Sequence, residues 1–115
     1  MKNILCFGDS NTWGYEPLVA RRYPADVRWP GVLQNLLGDG FRVIEEGLNG
    51  RTNVTNEEGR PIRSGLDVLP VLLESHRPLD LVVIMLGTND LKHDFDLSAE
   101  QIADGARQVC RYAGS

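Results

Sequence analysis

Two histidines, two cysteines and 7% aromatic residues are all that 115 residues supply of the side chains richest in chemistry. The histidines and cysteines are scattered without ligand spacing, so no metal site is indicated and no cofactor is expected. Cys6 falls in an apolar run and Cys110 in a late amphipathic segment. Both read as small buried hydrophobes rather than as a disulfide framework, which suits a reducing compartment. Positive charge is scarce too: 12 Lys and Arg stand against 16 Asp and Glu, a formal charge of −4. That leaves no basic face for a phosphate backbone and excludes nucleic acid as a partner. No apolar run is long enough to span a bilayer, and Met1-Lys2-Asn3 leads directly into a strand without the features of a signal peptide. The expectation is a cytoplasmic chain with no membrane partner. Internal repeats, low-complexity segments and linkers are missing as well. The clustered glycines of a dinucleotide cradle are also lacking, which ranks a small flavodoxin-like binding domain last among the readings.

What is present is enough apolar residues, 42% of the chain, for one small domain over residues 1–115 with its own core. Residues 2–7 form an apolar first strand, and Gly8 gives the freedom for a sharp turn. Residues 15–27, with Pro17, Pro24 and Asp26, lack periodicity and read as a long loop. From Trp29, Leu33, Leu36 and Leu37 recur at helical spacing, with Pro30 in the first turn and Gly38 or Gly40 at the end. Residues 41–46 are a second strand closed by Gly47, and 49–64 a turn-rich loop. Ser64 suits the cap of a helix in which Pro70 predicts a kink unless it lies in the first turn. Leu79 to Leu86 form a third strand, expected to be the most buried. Asp96 or Ser98 caps a last helix carrying Ile102, Ala103, Ala106, Val109, Cys110 and Ala113. Alternating strands and helices imply a parallel sheet with right-handed crossovers.

The stretch that organises the chain is Ile4-Leu5-Cys6-Phe7-Gly8-Asp9-Ser10, which sets a hydroxyl at the carboxyl end of a strand, where open α/β sheets hold their ligands. By itself Gly-Asp-Ser is weak, since surface turns use the same residues. Two further stretches extend it. Gly47-Leu48-Asn49-Gly50-Arg51-Thr52 follows the second strand, and Gly87-Thr88-Asn89-Asp90 follows the third.

In order, these three stretches resemble the first three sequence blocks of the GDSL/SGNH hydrolases. Trp13-Gly14, Asp26-Val27-Arg28-Trp29, Glu45-Glu46-Gly47-Leu48 and Leu79 to Gly87 resemble its arylesterase and acyltransferase branch. The family's fourth block, Asp-x-x-His, is absent from its expected place, so the resemblance is to the amino-terminal portion of such a domain. It implies an α/β fold, a three-layer α/β/α flavodoxin-like sandwich, here incomplete with about three strands.

The resemblance also implies chemistry. Ser10 is the nucleophile that becomes transiently acylated, and the backbone N–H of Ser10, that of Gly50 and the side-chain amide of Asn89 donate to the oxyanion. The substrate is then a small or aryl ester, with water or an alcohol as acyl acceptor. Gly50 fits the second block better than Gly47, which reads as a strand-ending turn. Asn89 equally suits a helix cap or a turn. Asp9 is expected to organise the turn. Arg51 is expected either to pair with Glu45, Glu46 or Asp9 or to be solvated. Trp13 and Trp29 suit a substrate pocket or the core.

A serine without a base is a poor nucleophile. Asp90-Leu91-Lys92-His93 has the spacing of the fourth block but reads as coincidence, since two residues in a flexible turn lack packed support. The alternative reading is therefore a catalytically inactive fragment acting as a binding or interaction module. In the family's strand order the third strand would be left on an open edge, so the expectation is either a fragment of a longer hydrolase or a chain that associates with a second one, such as its own copy in a homo-oligomer, through Leu81 to Met85.

Overall fold

A computed structural model describes residues 1–114. The element order is β1 (Lys2–Gly8), α1 (Ser10–Trp13), β2 (Tyr15–Glu16), β3 (Arg21–Arg22), α2 (Trp29–Leu37), β4 (Phe41–Gly47), α3 (Gly65–His76), β5 (Leu81–Met85), two 3₁₀ turns (Asn89–Leu91 and His93–Phe95) and α4 (Ala99–Ala113). The chain divides into two compact units, Met1–Asn49 with Pro78–Met85, and Gly50–Arg77 with the residues from Leu86 onward.

The first unit is built on a parallel sheet of order β4-β1-β5. Its middle strand β1 is the apolar run, and Ile4, Leu5, Cys6 and Phe7 are buried. This corrects the expectation for the third strand. β5 is as apolar as predicted, but among the described residues it pairs on one side only, and Leu81 and Met85 are exposed. A strand is buried according to its neighbours, not by its own composition. β4 is the other edge, where Gln34 of α2 lies alongside: its Oε1 accepts from Val43 N at 2.8 Å and its Nε2 donates to Phe41 O at 2.7 Å. Lys2 N donates to Gly40 O, so the odd-numbered residues of β4 aim their peptide groups away from β1, toward Gln34.

The expected loop over 15–27 instead folds back as a short antiparallel pair, β2 with β3. Its tip holds Leu18 and Ala20 at φ 73° and 52°, without the glycines that usually serve there. Gly8 ends β1 rather than supplying an unusual turn. It is glycine for space, since a Cβ there would lie 2.1 Å from Thr12 Oγ1 and 2.9 Å from Met85 O.

In the second unit, α3 and α4 pack together around Leu69 and Val109. Ser64 caps α3, accepting from Asp67 N, and the helix runs on through Pro70. Ser98 caps α4 in a reciprocal box with Gln101, while Asp96 takes a left-handed conformation before it. Ile102, Gly105, Ala106 and Val109 form the inward face of α4, and Cys110, one helical step around, is exposed. That overturns its expected burial. The loop 49–64 is pinned by Thr52, whose N–H donates to Arg63 O at 2.9 Å and whose carbonyl accepts from Gly65 N at 2.8 Å. No helix of the described residues is long and apolar enough to cross a membrane.

Candidate active site

Ser10 is the first residue of α1, directly beyond the carboxyl end of β1. The buried Asp9 organises the turn. Its Oδ1 accepts from Asn11 N at 3.0 Å, and its carbonyl accepts from Thr12 N at 3.1 Å and Trp13 N at 2.9 Å. The Ser10 carbonyl accepts from Gly14 N at 2.8 Å. Ser10 is thus held by its backbone and half-buried. Within its unit no side-chain group takes the proton of its hydroxyl.

The turn is also supported from behind. Thr12 is fully buried, and Trp29 Nε1 donates to its Oγ1 at 3.1 Å. Trp29 therefore has a polar duty that its place in the sequence did not announce. Trp13 has one face covered by the Arg22 guanidinium, 4.8 Å from the ring centroid, and its carbonyl accepts from Arg22 Nε at 2.7 Å. Such cation–π contact fixes the indole against the β2–β3 pair.

Glu45, a candidate partner of Arg51, is held instead by Arg28. Nε is 2.9 Å from Oε1 and Nη2 3.0 Å from Oε2, and Arg28 Nη1 also donates to Tyr23 O at 3.0 Å. The Arg28 hydrogen bonds hold the Glu45 carboxyl below its ordinary value against the opposing effect of burial. Burial, and secondarily the Glu45 charge, pushes the Cys6 thiol up to about 11. A cavity of about 270 Å³ in this unit lies between Ala25, Asp26, Pro30, Gln34, Val43 and Glu45 and does not include Ser10.

The remaining candidates belong to the second unit. Gly50 is buried with φ 83°, and a Cβ on it would meet Arg60 Nη1 at 2.2 Å. The backbone conformation favours glycine there, and the overlying guanidinium would have to move aside for a side chain. Arg51 is 4% exposed, which overturns its solvated reading. Asn89 begins the first 3₁₀ turn, and its Nδ2 donates to Arg51 O at 3.0 Å. One amide hydrogen of Asn89 thus fixes the side chain, and Nδ2 carries a second.

Several residues to which the sequence gave no role complete this unit. Asp90 is 1% exposed, and its two carboxylate oxygens each lie 3.2 Å from Asn53 N, with Asn53 Nδ2 3.3 Å from Oδ2. Lys92 Nζ is 3.0 Å from both oxygens of Glu57, and Arg60 Nη1 is 3.0 Å from Oε2. Lys92, and after it Arg60, hold the Glu57 carboxyl below its ordinary value. The signal was a carboxylate in the turn a few residues beyond an apolar strand, where a buried charge requires partners. His93 is exposed on the second 3₁₀ turn and makes no hydrogen bond to Asp90.

Three of the predicted residues, Asp9, Ser10 and Trp13, lie together in the first unit, and Gly50, Arg51 and Asn89 in the second. Among the described residues no group of three or more His, Cys, Asp or Glu side chains could hold a metal ion.

Comparison with known proteins gives the arrangement a context. The model of the GDSL-like Lipase/Acylhydrolase family matches residues 6–113. Among solved structures, Est24, a carbohydrate acetylesterase from Sinorhizobium meliloti, superposes with TM-score 0.95 at 43% identity over 97% of this chain and 54% of its own. An aryl esterase of M. smegmatis gives TM-score 0.95 at 46% identity, over 97% of this chain and 54% of its own. AlinE4, an SGNH-hydrolase family esterase, gives 0.75 at 25% identity, over 98% and 53%. The chain therefore has the SGNH hydrolase fold and spans about half the length of the structures it matches. No curated protein matches it.

Proposed function

The chain belongs to the GDSL-like lipase/acylhydrolase family, and from that premise we propose that it is the nucleophile-bearing portion of a serine ester hydrolase of the arylesterase and acetylesterase kind. Ser10 Oγ attacks the carbonyl carbon of a small ester, and the alcohol leaves as the acyl group passes to Ser10. Water or a second alcohol then takes the acyl group, restoring the serine hydroxyl. The N–H groups of Ser10 and Gly50 and the amide of Asn89 donate to the oxygen that gains charge. Trp13 bounds the substrate, and Asp9 and Arg51 support the two loops. The general base comes from the length by which the matched structures exceed this chain.

The observation that carries this reading is the location of Ser10, at the head of α1 between the buried Asp9, which caps the helix through Asn11 N, and Gly14 N, which donates to the Ser10 carbonyl, with the Ser10 side chain unengaged within its unit. Such a serine is prepared to be a nucleophile rather than a cap. A second reading, a fragment without activity that binds a partner, is favoured by His93: it is exposed and not bonded to Asp90.

p-Nitrophenyl acetate hydrolysis by this chain, beside its Ser10→Ala and His93→Ala variants, tests both. Phosphonate labelling that is lost in Ser10→Ala, with little or no turnover by the chain itself, supports the first reading. Loss in both variants makes His93 the base. No turnover above the Ser10→Ala background, together with no labelling by a serine-directed phosphonate, supports the binding module.

A further inference from the structure

Asp90 belongs to a stretch whose sequence spacing, Asp90-Leu91-Lys92-His93, suggests a base and its orienting acid. The geometry assigns it other work. Both of its oxygens face one residue of the loop that follows β4: Asn53 N at 3.2 Å from each, and Asn53 Nδ2 at 3.3 Å from Oδ2. This tie is the middle one of three. Asn89, one residue earlier, donates to Arg51 O at 3.0 Å. Lys92, two residues later, meets Glu57 at 3.0 Å. Residues 89, 90 and 92 thus fasten residues 51, 53 and 57 in matching order, and Glu57 in turn holds Arg60, whose guanidinium lies over the Gly50 Cα.

We infer that Asp90 is a positioning residue, whose carboxylate fixes the loop at Asn53 and so keeps the Gly50 N–H and the Asn89 amide in one register. The inference rests on the oxyanion roles proposed for Gly50 and Asn89. It goes beyond them in naming the group that holds the two donors together.

The chemistry explains why a carboxylate is needed. Asn53 presents only N–H groups to this site, from its backbone and from its side chain, and a carboxylate only accepts. An amide at position 90 would turn a hydrogen-bearing nitrogen toward one of those donors. The orientation of Asn53 follows from the same contact: its Oδ1 is buried without a hydrogen-bond partner among the described residues, because the opposite orientation would set oxygen against the Asp90 carboxylate. A buried unsatisfied oxygen is unfavourable, so the tie to Asp90 outweighs a well-satisfied amide. α4 closes the arrangement, for at Gly105 a Cβ would stand 3.3 Å from Asn53 Cβ.

The test uses the whole 115-residue chain, ¹⁵N-labelled, as wild type, Asp90→Asn and Asn53→Ala. Amide hydrogen exchange is followed at Asn53 and the Asn89 side chain and, as a reference for the fold, at Leu69 and Val109. In parallel, labelling of Ser10 by a serine-directed phosphonate is resolved into a binding constant and a rate constant. The inference expects exchange at Asn53 and Asn89 to rise at least about tenfold in Asp90→Asn, with Leu69 and Val109 unchanged. The labelling rate constant should fall about 100-fold, as for a loss of about 1 Å in alignment, with the binding constant retained. Asn53→Ala, which removes one of the donors, should show the same pattern more weakly. Unchanged exchange at Asn53 and Asn89 overturns the inference, as does an equal loss of protection at Leu69 and Val109. If the wild type is not labelled, or Ser10→Ala still is, the Ser10 reading falls. The exchange data then decide the role of Asp90 by themselves.

Discussion

Arg28 and Glu45 form a two-pronged ion pair, Nε to Oε1 at 2.9 Å and Nη2 to Oε2 at 3.0 Å, that ties the residue before α2 to the end of β4. Because the pair lowers the Glu45 pKa in the folded chain, its contribution is full above the ordinary carboxylate value of about 4.3. It is lost as pH falls through the lower folded value. Urea unfolding of wild type and Arg28→Met should differ by about 1 kcal/mol at pH 7, after allowance for solvent screening of a partly exposed pair. The difference should hold to about pH 5 and shrink below about pH 4. A difference unchanged at pH 3 would show that the guanidinium acts through its packing and its bond to Tyr23 instead.

Gly8→Ala tests the close approach behind Ser10. The added methyl would lie 2.1 Å from Thr12 Oγ1 and 2.9 Å from the Met85 carbonyl, and the second neighbour is backbone. Overpacking of this kind costs about 1–3 kcal/mol. Thermal unfolding should show a fall of several degrees, and a Tm within a degree of wild type would contradict so close an approach of Thr12 and Met85 to Gly8.

The two cysteines should separate cleanly by reactivity. Cys6 is buried with its thiol pushed up to about 11, whereas Cys110 is exposed. At pH 8 a disulfide reagent such as dithionitrobenzoate should titrate Cys110 alone in the native chain and both thiols in denaturant. Rapid modification of both in the native chain would place Cys6 on an opening segment rather than in the core.

Among the described residues β5 pairs on one side only, which predicts association of this chain. Sedimentation between about 5 and 200 µM should show a rise in mass with concentration, as unpaired strand edges invite pairing. Leu81→Lys, a charge on the exposed end of that strand, should suppress it. A single monomeric species across the whole range would argue that the edge is covered.

Much of the fold was legible because local signals were strong. The apolar run of β1, Pro30 at the start of α2 and the caps Ser64 and Ser98 each carry their own physical reason for being where they are. Strand order carries no such local mark: composition alone ranked the apolar β5 as the most buried strand, and only the family's strand order implied the edge position that it has. The β2–β3 pair was invisible because two-residue strands show no period and the tip uses Leu18 and Ala20 where glycine would have announced it. Cys110 fell out of place by one helical step from Val109, a 100° turn that composition alone does not resolve. At the candidate site, the three blocks were legible as residues. Their fastening was not, since nothing local joins Asp90 to Asn53 across 37 positions.

Gln34 gives the sheet of the first unit a direction. Its amide acts as a fragment of strand laid along β4, meeting the Val43 N–H and the Phe41 carbonyl that would otherwise greet a newcomer. One border is therefore blunted and the other receptive. A chain with two receptive borders can add neighbours indefinitely. A chain with one can only mate, border to border, and then nothing is left to extend. The growth of any assembly built on this sheet should stop at pairs, and Gln34→Ala is the change that would turn a self-limiting contact into a propagating one.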